Sequence, residues 1–233
     1  MSQTIKVLSF DLDDTLWPCL PTILRAEGLL YEWLSANVPV IASSYDIYQL
    51  RDKRLSLKRS HPELAHDLTR LRIKSFEQLA EEFELSDDWI RPAFEIFYAA
   101  RQKVTWFDDV EPVLDELNKK YSLVSLTNGN ADTIKTGVDH WFDFALNAAT
   151  VGKLKSEPDI YWQVQKMANI DARQMAHIGD DPINDIAGAK LAGVFAIWLN
   201  REQKKWTLDS CQPDAVINSL HELPPLLKKL CSE

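Results

Sequence analysis

Six short runs of apolar residues punctuate this chain, at 5–10, 121–126, 144–150, 175–178, 194–199 and 215–217. Each is too short for a helix that must bury a stripe, and each gives way at once to polar residues. The stretches between the later runs repeat apolar residues at helical spacing. Alternation of this kind predicts an α/β fold: a parallel sheet with helices on both faces. In such sheets ligands bind beyond the carboxyl ends of the strands, so the polar residues just after each run hold the candidate chemistry.

Between the first run and the second the texture changes. Ile23, Leu24, Leu30, Tyr31 and Leu34 share one helical stripe. Leu64, Leu68 and Leu71 form another, continued by Phe76, Leu79, Ala80 and Phe83, and then by Ile90, Ala93, Phe94 and Phe97. Ser60-His61-Pro62-Glu63 and Ser86-Asp87-Asp88 read as helix starts. The segment 17–105 is expected to be an all-helical insert, with residues 1–16 and 106–233 forming the α/β core. Asp108-Asp109-Val110-Glu111-Pro112 opens the helix that returns to that core.

At 233 residues the chain has room for one domain and an insert. Its formal charge of −9 argues against a nucleic-acid surface. Any phosphate must therefore be handled at a local site with the help of a cation. Cys19, Cys211 and Cys231 form no CxxC pair and read as reduced thiols. No apolar run approaches the roughly 20 residues of a membrane span, and residues 1–6 carry no apolar signal segment. The expectation is a cytoplasmic protein with no membrane or nucleic-acid partner.

Four strand ends carry chemistry. The first is Asp11-Leu12-Asp13-Asp14-Thr15. Asp11 can attack phosphorus while Asp13 moves a proton to or from the reacting oxygen; the structural alternative is an Asp-rich turn. The second, Thr127-Asn128-Gly129-Asn130, offers a hydroxyl and backbone N–H groups as an anion cradle, although Asn-Gly turns are common without one. The third is Lys155, three residues before Pro158, whose ammonium could offset charge on a phosphoryl group. Most lysines are simply solvated, and Lys153 competes for the role. The fourth, His177-Ile178-Gly179-Asp180-Asp181 with Asp185, supplies hard oxygen ligands suited to Mg²⁺, or else helix caps. His177 reads as strand packing, because such a site prefers oxygen.

Taken together these residues resemble the four motifs of the haloacid dehalogenase-like superfamily, with every position filled. The resemblance implies a Rossmann-like core, and a helical cap of the superfamily's first type in the insert. It also implies a mechanism. Asp11 is the nucleophile and Asp13 the acid/base. Thr127, Asn128 and Lys155 hold the phosphate. Mg²⁺ lies on Asp11, the backbone carbonyl of Asp13, and Asp180, with Asp181 and Asp185 behind them. Like charges at ~5 Å cost roughly 3 kcal/mol at an effective dielectric of 20, which is the work the cation does. True haloacid dehalogenases lack the second aspartate and need no metal, so Asp13 points to phosphomonoester hydrolysis.

A narrower likeness runs through residues 21–27, 61–72 and 75–78, and through the second and fourth motifs. It is to bacterial phosphatases that act on flavin mononucleotide and on 5-amino-6-(5-phospho-D-ribitylamino)uracil. The implied partner is a small phosphomonoester and the implied state a monomer. Trp17, Tyr31, Trp33, Tyr45 and Tyr48 could face an aromatic ring, or serve helix packing; Arg25, Arg70 and Arg72 are polar candidates. A broad nucleotide or sugar-phosphate phosphatase is the alternative, as is a non-catalytic phospho-ligand sensor.

Overall fold

The computed structural model describes residues 5–230, so Cys231 lies outside the described residues. The six apolar runs become six strands: β1 (Val7–Phe10), β2 (Ser122–Thr127), β3 (Phe144–Asn147), β4 (Met175–Gly179), β5 (Phe195–Leu199) and β6 (Ala215–Ile217). They form one sheet in the order β3-β2-β1-β4-β5-β6, with every pair parallel. Each residue of β1 is buried, as expected of a central parallel strand covered on both faces. The strand order reverses at β1, which lies between β2 and β4. Phe10 pairs with Ser125 on one side and Ile178 on the other, so three strands end level beside Asp11. That switch point opens the crevice.

Leu8, Phe10, Leu12, Leu16 and Trp17 pack with Val110, Leu114 and Leu117 of helix α6 (Val110–Leu117) on one face. Val7, Val124 and Leu126 pack with Ile160, Tyr161 and Val164 of α9 (Asp159–Ala168) on the other. The third run departs from its expected extent, because the strand stops at Asn147. That side chain accepts from the Thr150 amide and caps α8 (Ala148–Val151).

Between β1 and α6 the described residues contain helices and no strand: α1 (Cys19–Asn37), α2 (Pro39–Ser44), α3 (Ile47–Ser60), α4 (Leu68–Glu82) and α5 (Ile90–Arg101). They share a hydrophobic cluster of their own around Ala26, Leu30, Leu34, Phe76, Leu79, Ala93 and Phe97. Two details differ from the sequence expectation. Leu24 is exposed, and the inner stripe of α1 runs instead through Ala26, Glu27, Leu30 and Leu34. Ser60 ends α3, and Pro62–Leu64 makes a single 3₁₀ turn. Helix α4 starts at Asp67, whose carboxylate accepts from the Arg70 amide. Leu64 therefore does not continue that helix's stripe. No helix of the described residues is long and apolar enough to cross a membrane.

Candidate active site

The first acidic loop leaves β1 with Asp11 locked to the sheet: its amide donates to the Ile178 carbonyl at 2.9 Å. Its side chain is buried, and one oxygen accepts from the Lys155 ammonium. That ammonium also lies 2.6 Å from Asp185 Oδ1. Lys155 is buried and its amide donates to Asn128 Oδ1 at 2.8 Å, so the second and third segments are stitched together. Lys153, the competing lysine, pairs with Glu157 at the surface. Asp11, Asp180 and Asp185 each place an oxygen within 4.8 Å of the others.

The two acids that follow Asp180 separate by role. Asp181 caps the next turn, accepting from the amides of Ile183 and Asn184. Asp185 sits in the π-helical turn Pro182–Ala187 and is fully buried. Its Oδ2 accepts from the Asp181 amide at 2.9 Å, and its Oδ1 faces both Lys155 and His177 Nε2, the latter at 3.1 Å. His177 Nδ1 lies 2.8 Å from Ser9 Oγ. Burial lowers the pKa of His177; a neutral ring donating from Nε2 and accepting at Nδ1 satisfies both contacts. The ring thereby orients Asp185.

Burial of several acids around one lysine sets the electrostatics. Burial pushes the Asp11 carboxyl up to about 8 against the pull of Lys155. It pushes Asp180 up to about 9, with Asp11 and Asp185 adding like charge. Asp185 goes the other way: burial opposes ionisation, but Lys155 and His177 hold it well below the carboxylate range. Hard oxygens on acids that resist ionising without a further counter-charge fit a divalent cation of the magnesium type. Asp11 and Asp180 are the side chains placed to meet it, since both oxygens of Asp185 are engaged.

Asp13 is held from two directions. Trp17 Nε1 donates to Oδ1 at 2.8 Å and Arg101 Nη2 to Oδ2 at 2.5 Å. Trp17 is buried in the core cluster, so it offers no face to a substrate ring. Thr127 is buried at the end of β2, and its hydroxyl accepts from the Gly129 amide at 2.8 Å. Gly129 has a steric reason to be glycine. A Cβ there would stand 2.8 Å from Asp13 Oδ2 and 3.1 Å from Thr127 Oγ1.

Arg101 carries no motif signal, because nothing near it in sequence resembles a site. The remaining candidates from the insert make local contacts. Arg72 pairs with buried Glu27, Arg70 with Glu77, and Arg25 with the Ala100 and Lys103 carbonyls. Tyr31 donates to the Ala42 carbonyl, Tyr45 bonds Glu82, Trp33 packs in the helical cluster, and Tyr48 is exposed. Two clefts flank the acids. One of ≈ 520 Å³ includes Thr69, Tyr98, Gly129 and Asn130. The other, of ≈ 550 Å³, includes Asp14, Leu20, Asp180 and Lys204.

Comparison with known proteins agrees with this geometry. The family model of the haloacid dehalogenase-like hydrolases matches residues 5–193. The 5-amino-6-(5-phospho-D-ribitylamino)uracil phosphatase YigB of Escherichia coli K12 is 32% identical over 202 residues, covering 85% of this chain and 84% of that one. A phosphoserine phosphatase of Thermus thermophilus is 27% identical, covering 94% and 98%. Among solved structures, a 2-haloacid dehalogenase from Pseudomonas syringae pv. Tomato DC3000 superposes with a TM-score of 0.90 at 36% identity, covering 97% and 99%.

Proposed function

Because the chain belongs to the haloacid dehalogenase-like hydrolase family, we propose that it is a magnesium-dependent phosphomonoesterase acting through an aspartyl phosphate on Asp11. One arrangement supports this above all. A buried carboxylate, Asp11, touches a buried ammonium, while a second acid two residues on, Asp13, is held by Trp17 and Arg101.

The reaction has two balanced halves. An Asp11 oxygen attacks phosphorus, the bond from phosphorus to the leaving oxygen breaks, and Asp13 gives that oxygen its proton. Water then attacks phosphorus, Asp13 takes the water proton, and the bond to Asp11 breaks to release phosphate. Thr127, the Asn128 amide and Lys155 hold the phosphoryl oxygens, and Lys155 offsets their charge. A bound Mg²⁺, held by Asp11, Asp180 and the Asp13 carbonyl, would relieve repulsion between the nucleophile and a phosphate dianion. Asp185 orients Lys155, and Asp181 caps the turn that presents Asp180. The helical unit 17–105 serves as the cap, limiting water access to the acyl phosphate and selecting the leaving group.

For substrate, we infer flavin mononucleotide or 5-amino-6-(5-phospho-D-ribitylamino)uracil, supported by the similarity to YigB. Likeness to the Pseudomonas dehalogenase raises hydrolytic dehalogenation as a competitor. Asp13 weighs against it, since displacing a halide needs no proton for the leaving group.

Two assays decide. Mg²⁺-dependent hydrolysis of p-nitrophenyl phosphate, without halide release from 2-chloro acids, is the expected result; the reverse pattern removes the phosphatase reading. A panel of phosphates should then give the two riboflavin-pathway compounds the highest kcat/KM. Equal values for simple sugar phosphates would leave only a broad phosphatase.

A further inference from the structure

Arg101 is an unusual residue to find where it is. It is 1% exposed, and its Nη1 is buried without a hydrogen-bond partner among the described residues. A buried charge with an unfilled donor is costly, and an apolar side chain of like volume would pack there at less cost. Among the described residues, the polar contact its side chain makes is with a group the reaction uses: Nη2 donates to Asp13 Oδ2 at 2.5 Å across 88 residues of chain.

From that contact we propose that Arg101 is a positioning residue that fixes the acid/base Asp13, an inference resting on the phosphatase reading above. A general acid or base works only when its oxygen lies within hydrogen-bond reach of the proton it moves. An aspartate on a loop has freedom in its last torsion. Here Trp17 holds one oxygen and Arg101 the other, so the plane of the carboxyl is set. Gly129 leaves just enough room, because a Cβ there would also lie 3.4 Å from Arg101 Nη2.

Arg101 ends helix α5, and that end of the helix is itself tied down. The neighbouring Gln102 side chain donates to the Asn130 carbonyl at 3.1 Å and accepts from the Asp132 amide at 2.9 Å. Arg25, from α1, donates to the Ala100 carbonyl at 3.3 Å and to that of Lys103. The end of α5 is thereby tied to the same loop that carries Thr127 and Gly129. Lysine would keep the charge but lose the planar, directed donor.

The leaving group separates this role from a structural one. p-Nitrophenolate departs without a proton, so its release needs no acid, whereas hydrolysis of the phosphoenzyme still needs Asp13 as base. Wild-type turnover of p-nitrophenyl phosphate with Mg²⁺ is measured first; if it is absent, the phosphatase reading fails before Arg101 is in question. Given turnover, Arg101→Lys should lower steady-state kcat by about ten- to a hundredfold, lower KM in proportion so that kcat/KM stays within about twofold, and show a rapid burst near one p-nitrophenolate per site. Arg101→Ala should lose more and regain part of its turnover with added guanidinium but not methylammonium. If Arg101→Ala does not fold, Arg101→Lys alone decides. An unchanged kcat, or loss of burst and steady state together in a folded Arg101→Lys protein, overturns the proposal.

Discussion

Lys155 meets Asp185 at 2.6 Å from the far side of the crevice, and their contact aligns the acids around Asp11. Asp185 reaches that place from a π-helical turn, a local widening often found at functional sites. Behind it, the backbone of Lys155 lies directly on Gly188, the first residue of α10 (Gly188–Leu191). A Cβ at 188 would fall 1.7 Å from the Lys155 carbonyl oxygen.

Gly188→Ala should therefore displace the Lys155 loop, since the obstructing atom is backbone and cannot swing away. The expected cost is about 1–3 kcal/mol of stability, the usual range for overpacking, with loss of most activity. Urea unfolding and kcat on the same preparation check this; a loss of stability with wild-type kcat would show that the helix, and not the loop, yields.

The two acids of the first loop should fail differently. Asp11→Asn removes the nucleophile and should abolish turnover. Asp13→Asn keeps the nucleophile, so with an activated aryl phosphate it should trap phosphorylated protein, visible as an added phosphoryl mass on the peptide holding residue 11. Normal turnover by Asp11→Asn would exclude covalent catalysis.

Cation binding can be read without any substrate. A bound Mg²⁺ would offset the like charges that disfavour ionisation in the cluster of Asp11, Asp180 and Asp185. At a hundred times its Kd the ion should stabilise the fold by about 2.7 kcal/mol. Thermal melting with Mg²⁺ against EDTA measures this, and Asp180→Asn should shrink the difference. A melting temperature indifferent to Mg²⁺ in the wild type would count against the site.

Acid should loosen the helical unit first at Glu27. Its carboxylate lies 2.8 Å from Arg72 and 2.7 Å from Arg54. Burial opposes its ionisation, yet the two arginines hold its pKa below the ordinary value of 4.5. For a depressed acid the stabilisation is complete above the unfolded value and disappears as pH falls through the folded one. At pH 7 Glu27→Gln should destabilise by about 3 kcal/mol, as expected when one partner of a buried pair is removed. The gap between wild type and variant should close below pH 4.5. A gap independent of pH would mean that packing, not charge, holds these helices.

Much of this architecture is written locally. A run such as Val7-Leu8-Ser9-Phe10 carries an apolar residue toward each face, and a central strand buries both faces. The six runs therefore announce six strands, and the rule that parallel sheets bind at their carboxyl ends brings Asp11, Thr127 and Asp180 forward as candidates. The structure departs from periodicity where a side chain competes with the backbone. Asn147 and Asp67 each capped a helix at a place that periodicity alone assigned otherwise.

What the sequence determined by itself was the alternation of strands and helices, and which acids stand at strand ends. The tertiary structure decided the strand order, the burial of Lys155 against Asp11 while Lys153 pairs with Glu157 at the surface, the separation of Asp185 from Asp181, and the pairing of Arg101 with Asp13. The reason is physical. Periodicity and capping depend on neighbours a turn away, whereas a charge finds its partner only after the chain has crossed the sheet and closed around it. Nothing in the residues beside Arg101 records that Asp13 will be there.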